Sequence, residues 1–406
     1  LQKIRFVYYY FKSRCSDIEI RWSGRPYSPD SFTTSMAGGT AEDVIGLWAT
    51  EGYVAERGYA LDLTDFLERW EYKDQLNYDV MKPFIRDGRV YGLPADGYLM
   101  GLLYNKTLFR EAGIVDGNGE PKSPNTWEEF VEYAKKITNR KAGIAGFGIM
   151  GHGAEAGWGM LNWVWQAGGD FQQEIDGKWK AVFDSPEAAH AFTFVQSMRW
   201  EHDILQSNLM LTSQDLQAHF AAGQIGMLMA AQDRVAQIVN SYGMDISEIG
   251  VAMLPAGPKG RANQMGGYFY IINPNSPPEV QDAAFKWITW NLLNKMDPER
   301  IRERGEDLRK EKRIETLTAL PIFVGEVDRR MRDVAEEYSD VLVDYHEVWL
   351  EAAKYLRPEP PFFCQQLYSE YLGPVLQEVL TNKKAKAAEL LRIAAEGFQK
   401  RFLDSL

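Results

Sequence analysis

The sequence predicts an α/β fold in two lobes, each a mainly parallel sheet flanked by helices, joined by a hinge of several strands. Three observations carry this. At 406 residues the chain exceeds what one hydrophobic core usually serves, so two domains of about 150 to 200 residues are expected. Residues 90–106 read as a strand that enters through Gly92-Leu93-Pro94, breaks at Gly97 and resumes as an apolar run at 99–104, closed by a helical turn that Gly113 stops. Alternating strand and helix patterns lie on both sides of that stretch, which makes it the place where the chain passes from one lobe to the other.

Taken in order, residues 3–6 read as a first strand, 8–14 as barely two helical turns and 17–22 as a second strand. A right-handed parallel βαβ connection needs a dozen or more residues, so this crossover is short and a segment is expected to be missing near Phe6 to Tyr8. A helix at 31–37 stops at Gly38-Gly39, and a buried strand at 42–48 ends in Trp48. A strand-like turn at 61–67 leads into a capped helix. Beyond the hinge, Thr126 caps a helix running to Ile137, Glu129 completes a capping box, and Phe130, Ala134 and Ile137 repeat on one face. A short strand at 147–150, a glycine-rich loop at 151–157 and a helix at 158–167, stopped by Gly168-Gly169, come next. Ser185-Pro186 opens a further helix with Ser at the cap and Pro in its first turn. Helix, strand and helix follow at 216–220, 226–230 and 235–238. Strands at 249–255 and 266–272 flank a turn at 257–260, the latter strand apolar enough to be buried on both faces. The chain then turns helical at 280–293, charge-dense at 298–313, and helical again from Phe323 to the end. No internal repeat of fixed period occurs.

Four phrases in this order carry a resemblance: Met36-Ala37-Gly38-Gly39-Thr40-Ala41-Glu42-Asp43-Val44; Gly92-Leu93-Pro94 followed by Leu103-Tyr104-Asn105-Lys106-Thr107-Leu108-Phe109-Arg110-Glu111-Ala112-Gly113; Pro124-Asn125-Thr126-Trp127-Glu128-Glu129-Phe130; and Leu254-Pro255-Ala256-Gly257-Pro258-Lys259-Gly260 followed by Gly266-Gly267. Together they resemble the family 1 extracellular solute-binding proteins, receptors of bacterial ABC importers, in their maltose-binding-protein-like branch. The resemblance implies the periplasmic-binding-protein fold, with one lobe from residues 1–97 and 267–322 and the other from 98–266 and 323–406. It implies capture of a mono- or oligosaccharide between closing lobes, no catalysis and no cofactor. The implied partners are the sugar and the membrane permease subunits of an importer, with the protein itself a monomer. The implied location is extracellular, as a membrane-anchored lipoprotein or in the periplasm. The chain begins at Leu1 rather than Met, so a leader is expected upstream.

Composition narrows the alternatives. With 57 acidic against 45 basic residues the net charge is −12, a field that repels phosphate backbones, so no nucleic-acid partner is expected. Cys15 and Cys364 have no Cys or His spaced for metal around them and read as free thiols. No apolar run approaches the roughly 18 residues of a membrane span. Gly146-Phe147-Gly148-Ile149-Met150-Gly151 has the letters of a dinucleotide loop, but such a loop follows a strand and opens a helix; here the glycines lie within or after the apparent strand, and His152-Gly153 extends the loop. The five histidines are scattered. A hydrolase working through a carboxylate pair is the competing reading, and an amine, a polyol phosphate or a metal complex is the competing ligand class.

Aromatic residues are plentiful, with 12 Trp, 20 Tyr and 20 Phe, and a pyranose stacks its C–H faces on such rings while its hydroxyls seek polar groups. Trp127, Trp287, Trp290 and Trp349 lie on helical patterns and read as core. Trp48 and Glu51 follow a strand at its carboxyl end, where ligands sit in open α/β sheets. Under the resemblance, Asp96 and Tyr98 reach the ligand from the hinge, and Trp158 and Trp163 belong to the region that supplies stacking rings. Gly267 and Tyr268 lie at the second crossing, where glycine lets backbone approach the ligand. Gln232, Asp233 and Arg234 stand where the family commonly has a glycine and a stacking Trp, which points to a more hydrogen-bonding subsite; a solvated Asp-Arg pair at a helix start is the alternative there.

Overall fold

Mostly apolar runs, several carrying glycine within them, form seven principal strands among the described residues: β1 (Val44–Trp48), β2 (Leu93–Asn105), β3 (Ala145–Gly148), β4 (Ile225–Ala231), β5 (Ile249–Ala252), β6 (Asn263–Ile272) and β7 (Leu356–Pro358). The computed structural model describes residues 11, 15–24, 28–317 and 320–406. The expected strand at 3–6, the junction near Phe6 to Tyr8 and, Phe11 apart, the helical turns at 8–14 lie outside the described residues. Residues 18–24 have no regular secondary structure, against the strand expected at 17–22. Their alternation suits a half-buried strand, but that pattern needs a ladder, and Trp22 is left exposed.

The chain falls into two units. The first comprises Leu1–Gly97, Gly267–Asp307 and Pro321–Ser339; the second comprises Tyr98–Gly266, Leu308–Leu320 and Asp340–Leu406. This differs from the expected division in its last third, where residues 308–320 join the second unit and 323–339 the first. Helical periodicity could not show that exchange, because it gives a helix's apolar face without naming the core that face meets.

In the first unit β1 runs antiparallel to β6, from Val44 opposite Ile272 to Trp48 opposite Tyr268. Its core joins Leu63, Leu67, Met81 and Val90 to Phe285, Ile288 and Leu292 of the helix Pro278–Lys295, and to Ile322 and Phe323. In the second unit β2 pairs antiparallel with both β4 and β5, β3 is parallel to β4, and β7 is parallel to the start of β6. The sheets are therefore mixed, where a mainly parallel arrangement was expected. One core gathers Leu103, Leu216, Phe220, Leu228, Val235 and Ile249. A second, aromatic cluster gathers Trp127, Phe130, Phe147, Trp163 and Phe194.

Two local readings change. β2 is continuous through Gly97, with no break. Gly97, Gly266 and Gly267 all lie outside the left-handed region, so the crossing strands do not owe their glycines to backbone conformation. Close approach explains two of them: a Cβ on Gly266 would meet the Tyr98 hydroxyl, and one on Gly267 the Asp96 carbonyl oxygen. The helix expected at 158–167 is two, Gly153–Trp158 and Leu161–Ala167. At the helix Trp127–Ile137 the Glu129 amide donates to Thr126 Oγ1 at 3.3 Å, but the Glu129 carboxylate accepts from the Asn125 amide at 2.7 Å, one residue before the cap.

Candidate functional site

In the first unit, β1 ends on Trp48, whose ring is 49% exposed. Antiparallel register sets Trp48 opposite Tyr268, and the rings meet edge-to-face at 5.4 Å. The Tyr268 ring lies across Gly46, where a side chain would collide with its hydroxyl. Asp96 is exposed and accepts from the Tyr268 amide at 2.9 Å. Burial raises the Tyr268 phenol pKa, and the Asp96 charge adds to the rise. Trp48, Asp96, Gly267 and Tyr268 are thus neighbours, forming an aromatic corner with one open carboxylate.

Glu51 does not join them. The segment Ala49–Val54 turns all six of its residues inward, and Glu51, 3% exposed, stands against the buried Tyr53 phenol, whose pKa is raised by burial first and by the Glu51 charge next. Position after a strand's carboxyl end predicted an open contact; the tight helical turn overrides it.

In the second unit Tyr98 and Trp158 come together, with ring centroids 6.4 Å apart and planes at 58°. What unites them is Glu359, which the sequence reading missed. Its Oε1 accepts from Tyr98 Oη at 2.7 Å, Trp158 Nε1 at 3.2 Å and Gln264 Nε2 at 3.1 Å, while its Oε2 accepts from Tyr368 Oη at 2.7 Å. Gln264 is held in turn by Asn162, which accepts from its amide at 2.8 Å and donates to its Oε1 at 3.2 Å. Burial, and then the Glu359 charge, hold the Tyr98 phenol well above its ordinary pKa; burial leads at Tyr368 also, followed by Cys364 and Glu359. Register helps deliver Glu359: β7 runs parallel to β6 with Pro358 opposite Met265, so the next residue arrives at the level of Gly266, two positions beyond Gln264 on β6. Tyr368 comes from the π-helical turn Leu367–Leu372, a local widening often found at functional sites. One available signal was a lone carboxylate in the stretch Pro358-Glu359-Pro360-Pro361-Phe362-Phe363, where no solvated charge pattern surrounds it.

Gln232 is buried and accepts from the Leu99 amide at 3.3 Å, which ties it to β2. Asp233 and Arg234 open the helix Asp233–Tyr242 and lie 3.6 Å apart; Arg234 also donates to Gln237 at 2.7 Å. Trp163 leaves the candidate set. It is 1% exposed, with its ring among Trp127, Phe130, Phe147 and Phe194. The break at Gly159-Met160 separates it from Trp158 and puts the two rings in different surroundings.

The glycines at 146–151 are explained by packing. Gly146 and Gly148 lie within β3, where a Cβ on Gly146 would strike the Ala134 backbone, and one on Gly151 would strike Leu209 O. Among the described residues no group of three or more His, Cys, Asp or Glu side chains could hold a metal ion. No helix among them is long and apolar enough to cross a membrane. Cys15 and Cys364 form no disulfide among the described residues, and the Cys364 thiol donates to the Pro360 carbonyl at 2.7 Å.

The family model for bacterial extracellular solute-binding proteins matches residues 3–296. A binding protein of Brucella abortus (strain 2308) is 28% identical over 266 residues, 65% of this chain; the match spans 60% of that protein's length. The fold is similar to an ABC transporter solute-binding protein from Thermotoga lettingae TMO bound with alpha-D-tagatose, with TM-score 0.74, 21% identity and coverage of 98% and 95% of the two chains. It is equally similar to the ABC substrate-binding protein Lmo0181 of Listeria monocytogenes in complex with cycloalternan, with TM-score 0.75, 21% identity and the same coverages. With its matched residues spanning most of the chain, this protein belongs to the bacterial extracellular solute-binding protein family.

Proposed function

We propose that this chain is the extracellular substrate-binding component of an ABC sugar importer, and that it captures a mono- or oligosaccharide without transforming it. The observation that carries this reading is the half-exposed Trp48 ring, set edge-to-face against Tyr268 beside the open Asp96 carboxylate. A ring held by a neighbouring ring presents a fixed face for a pyranose, and the carboxylate and nearby amides offer partners for its hydroxyls. Family membership and the sugars held by the similar solved structures support it. The proposed contacts are Trp48, Asp96, Gly267 and Tyr268 from the first unit, and Tyr98, Trp158, Gln232, Asp233 and Arg234 from the second. The chain works as a monomer that hands its ligand to membrane permease subunits, from the periplasm or from a lipid anchor.

A thermal-shift screen against mono- and oligosaccharides is the test, because a ligand that binds only the folded state raises its stability. A bound oligosaccharide recovered at its original length supports capture, and a shortened one supports the carboxylate-pair hydrolase instead. Trp48→Ala is expected to weaken binding by about 1–3 kcal/mol, the scale of a lost aromatic contact, with little loss of stability from so exposed a ring; unchanged affinity by calorimetry would remove Trp48 from the site. Capture by lobe closure, as the resemblance implies, should appear as compaction in small-angle scattering when a tight ligand saturates the protein. Superimposing profiles would remove closure from the reading while leaving capture intact.

A further inference from the structure

The Glu359 carboxylate is nine-tenths buried and forms no ion pair among the described residues. Interior carboxylates are ordinarily paired with a cation or kept neutral, because taking the charge out of water is costly. Here four neutral donors do the work, since hydrogen bonds to a charged acceptor are stronger than those between neutral groups. They stabilise the anion without cancelling its charge. Two of those donors are the polar ends of Tyr98 and Trp158. With the phenol O–H and the indole N–H both spent on Glu359, neither ring has a donor left for a ligand.

The two rings form a wedge, 6.4 Å between centroids at 58°, and both are half-buried, so each keeps an open portion. A cation in that wedge would lie within about 6 Å of both centroids, the reach of a cation–π contact. It would also face the Glu359 charge behind the rings. The exposed Asp233 is close enough for its charge to be felt at Tyr98, and Arg234 leans toward Asp233 and Gln237, not toward Glu359. A neutral pyranose stacked here would use the ring faces but leave the buried charge uncompensated.

We propose that the Tyr98–Trp158 wedge takes a cationic nitrogen, a protonated amine or a quaternary ammonium group, with Glu359 as its buried counter-charge and as the residue that positions both rings. The inference deepens the carbohydrate reading and rests on it for the remainder of the ligand, which makes an amino sugar the class of solute expected.

Calorimetry on the full chain tests this with three probes: the trimer of glucosamine at a pH where its amines are protonated, its fully N-acetylated counterpart, and maltotriose. The glucosamine trimer should bind tighter than either neutral trimer by about ten-fold or more, the scale of a desolvated cation–π contact, and its affinity should fall with added sodium chloride. Glu359→Gln keeps one acceptor oxygen and removes the charge, so it should abolish the preference for the glucosamine trimer over the neutral trimers, whatever it does to the affinity they share. Equal or tighter binding of the neutral trimers to the unaltered protein would overturn the proposal and leave the carbohydrate reading standing. So would a charge preference that survives in a folded Glu359→Gln. Tetramethylammonium chloride, compared with sodium chloride at equal ionic strength, gives a readout independent of sugar and of that variant's folding. It should shift the tryptophan emission of the unaltered protein and leave that of Trp158→Leu unmoved; no shift in the unaltered protein overturns the proposal. If none of the trimers binds, it is the carbohydrate reading that loses support, and the tetramethylammonium response decides the charge claim alone.

Discussion

Trp163→Ala is expected to lower the unfolding free energy by about 3–5 kcal/mol, the range for emptying a large aromatic site in a packed core. The ring is 1% exposed and meets Trp127 at 5.4 Å and Phe130 and Phe194 at 5.6 Å, so its removal leaves a space lined by rigid rings that collapse poorly. One term works the other way. The Trp163 indole N–H is buried without a hydrogen-bond partner, and losing an unsatisfied donor returns about 1–3 kcal/mol, which places the expected value toward the lower end. Trp163→Phe separates the two terms, since it keeps most of the ring and deletes the donor; it should cost much less than the alanine. Denaturant titration reads both variants. Ligand affinity of the folded protein should be unchanged in each, and a loss of affinity without a loss of stability would return Trp163 to the ligand contacts.

Gly157→Ala is expected to destabilise the protein and weaken ligand binding together. Gly157 lies in the helix Gly153–Trp158, and a Cβ there would run into the Tyr368 carbonyl oxygen and sit 2.7 Å from the Tyr368 Cα. Backbone atoms cannot rotate aside as a side chain does. Alanine in a helix interior normally gains about 1 kcal/mol over glycine, but overpacking of this kind costs about 1–3 kcal/mol and sometimes more, so the steric term wins. The displaced residues adjoin a proposed ligand contact, because Trp158 follows Gly157 directly and Tyr368 shares Glu359 with it. A lower melting temperature with weaker binding is the expected pair of results. Gly117→Ala is the control: it has open space around it and lies outside the left-handed region, so it should be close to neutral. A stable Gly157→Ala with unchanged affinity would show that the two helical segments slide apart without disturbing the rings.

The local elements were legible because their signals are local. Ser185 caps its helix by accepting from the Ala188 amide at 3.2 Å, β1 ends on Trp48, and Leu391, Ala394 and Phe398 of the last helix face inward, each readable from neighbours a few positions away. Readings that depended on how far a pattern extends were less secure. Gly97 looked like a break because glycine punctuates strands, yet β2 passes through it beside β6, a neighbour that no window of local sequence contains.

By itself the sequence determined the α/β class, the four phrases that mark the family, and the aromatic residues from which a sugar contact could be drawn. Tertiary structure alone decided which rings are open. Trp158 and Trp163 are five residues apart, and only packing separates a half-buried ring bonded to Glu359 from a core ring among Trp127, Phe130 and Phe194. The same holds for Glu359, whose four donors lie 9 to 261 positions away along the chain. A carboxylate's partners are set by where strands β6 and β7 bring the backbone, and that distance in space leaves no mark in the order of residues.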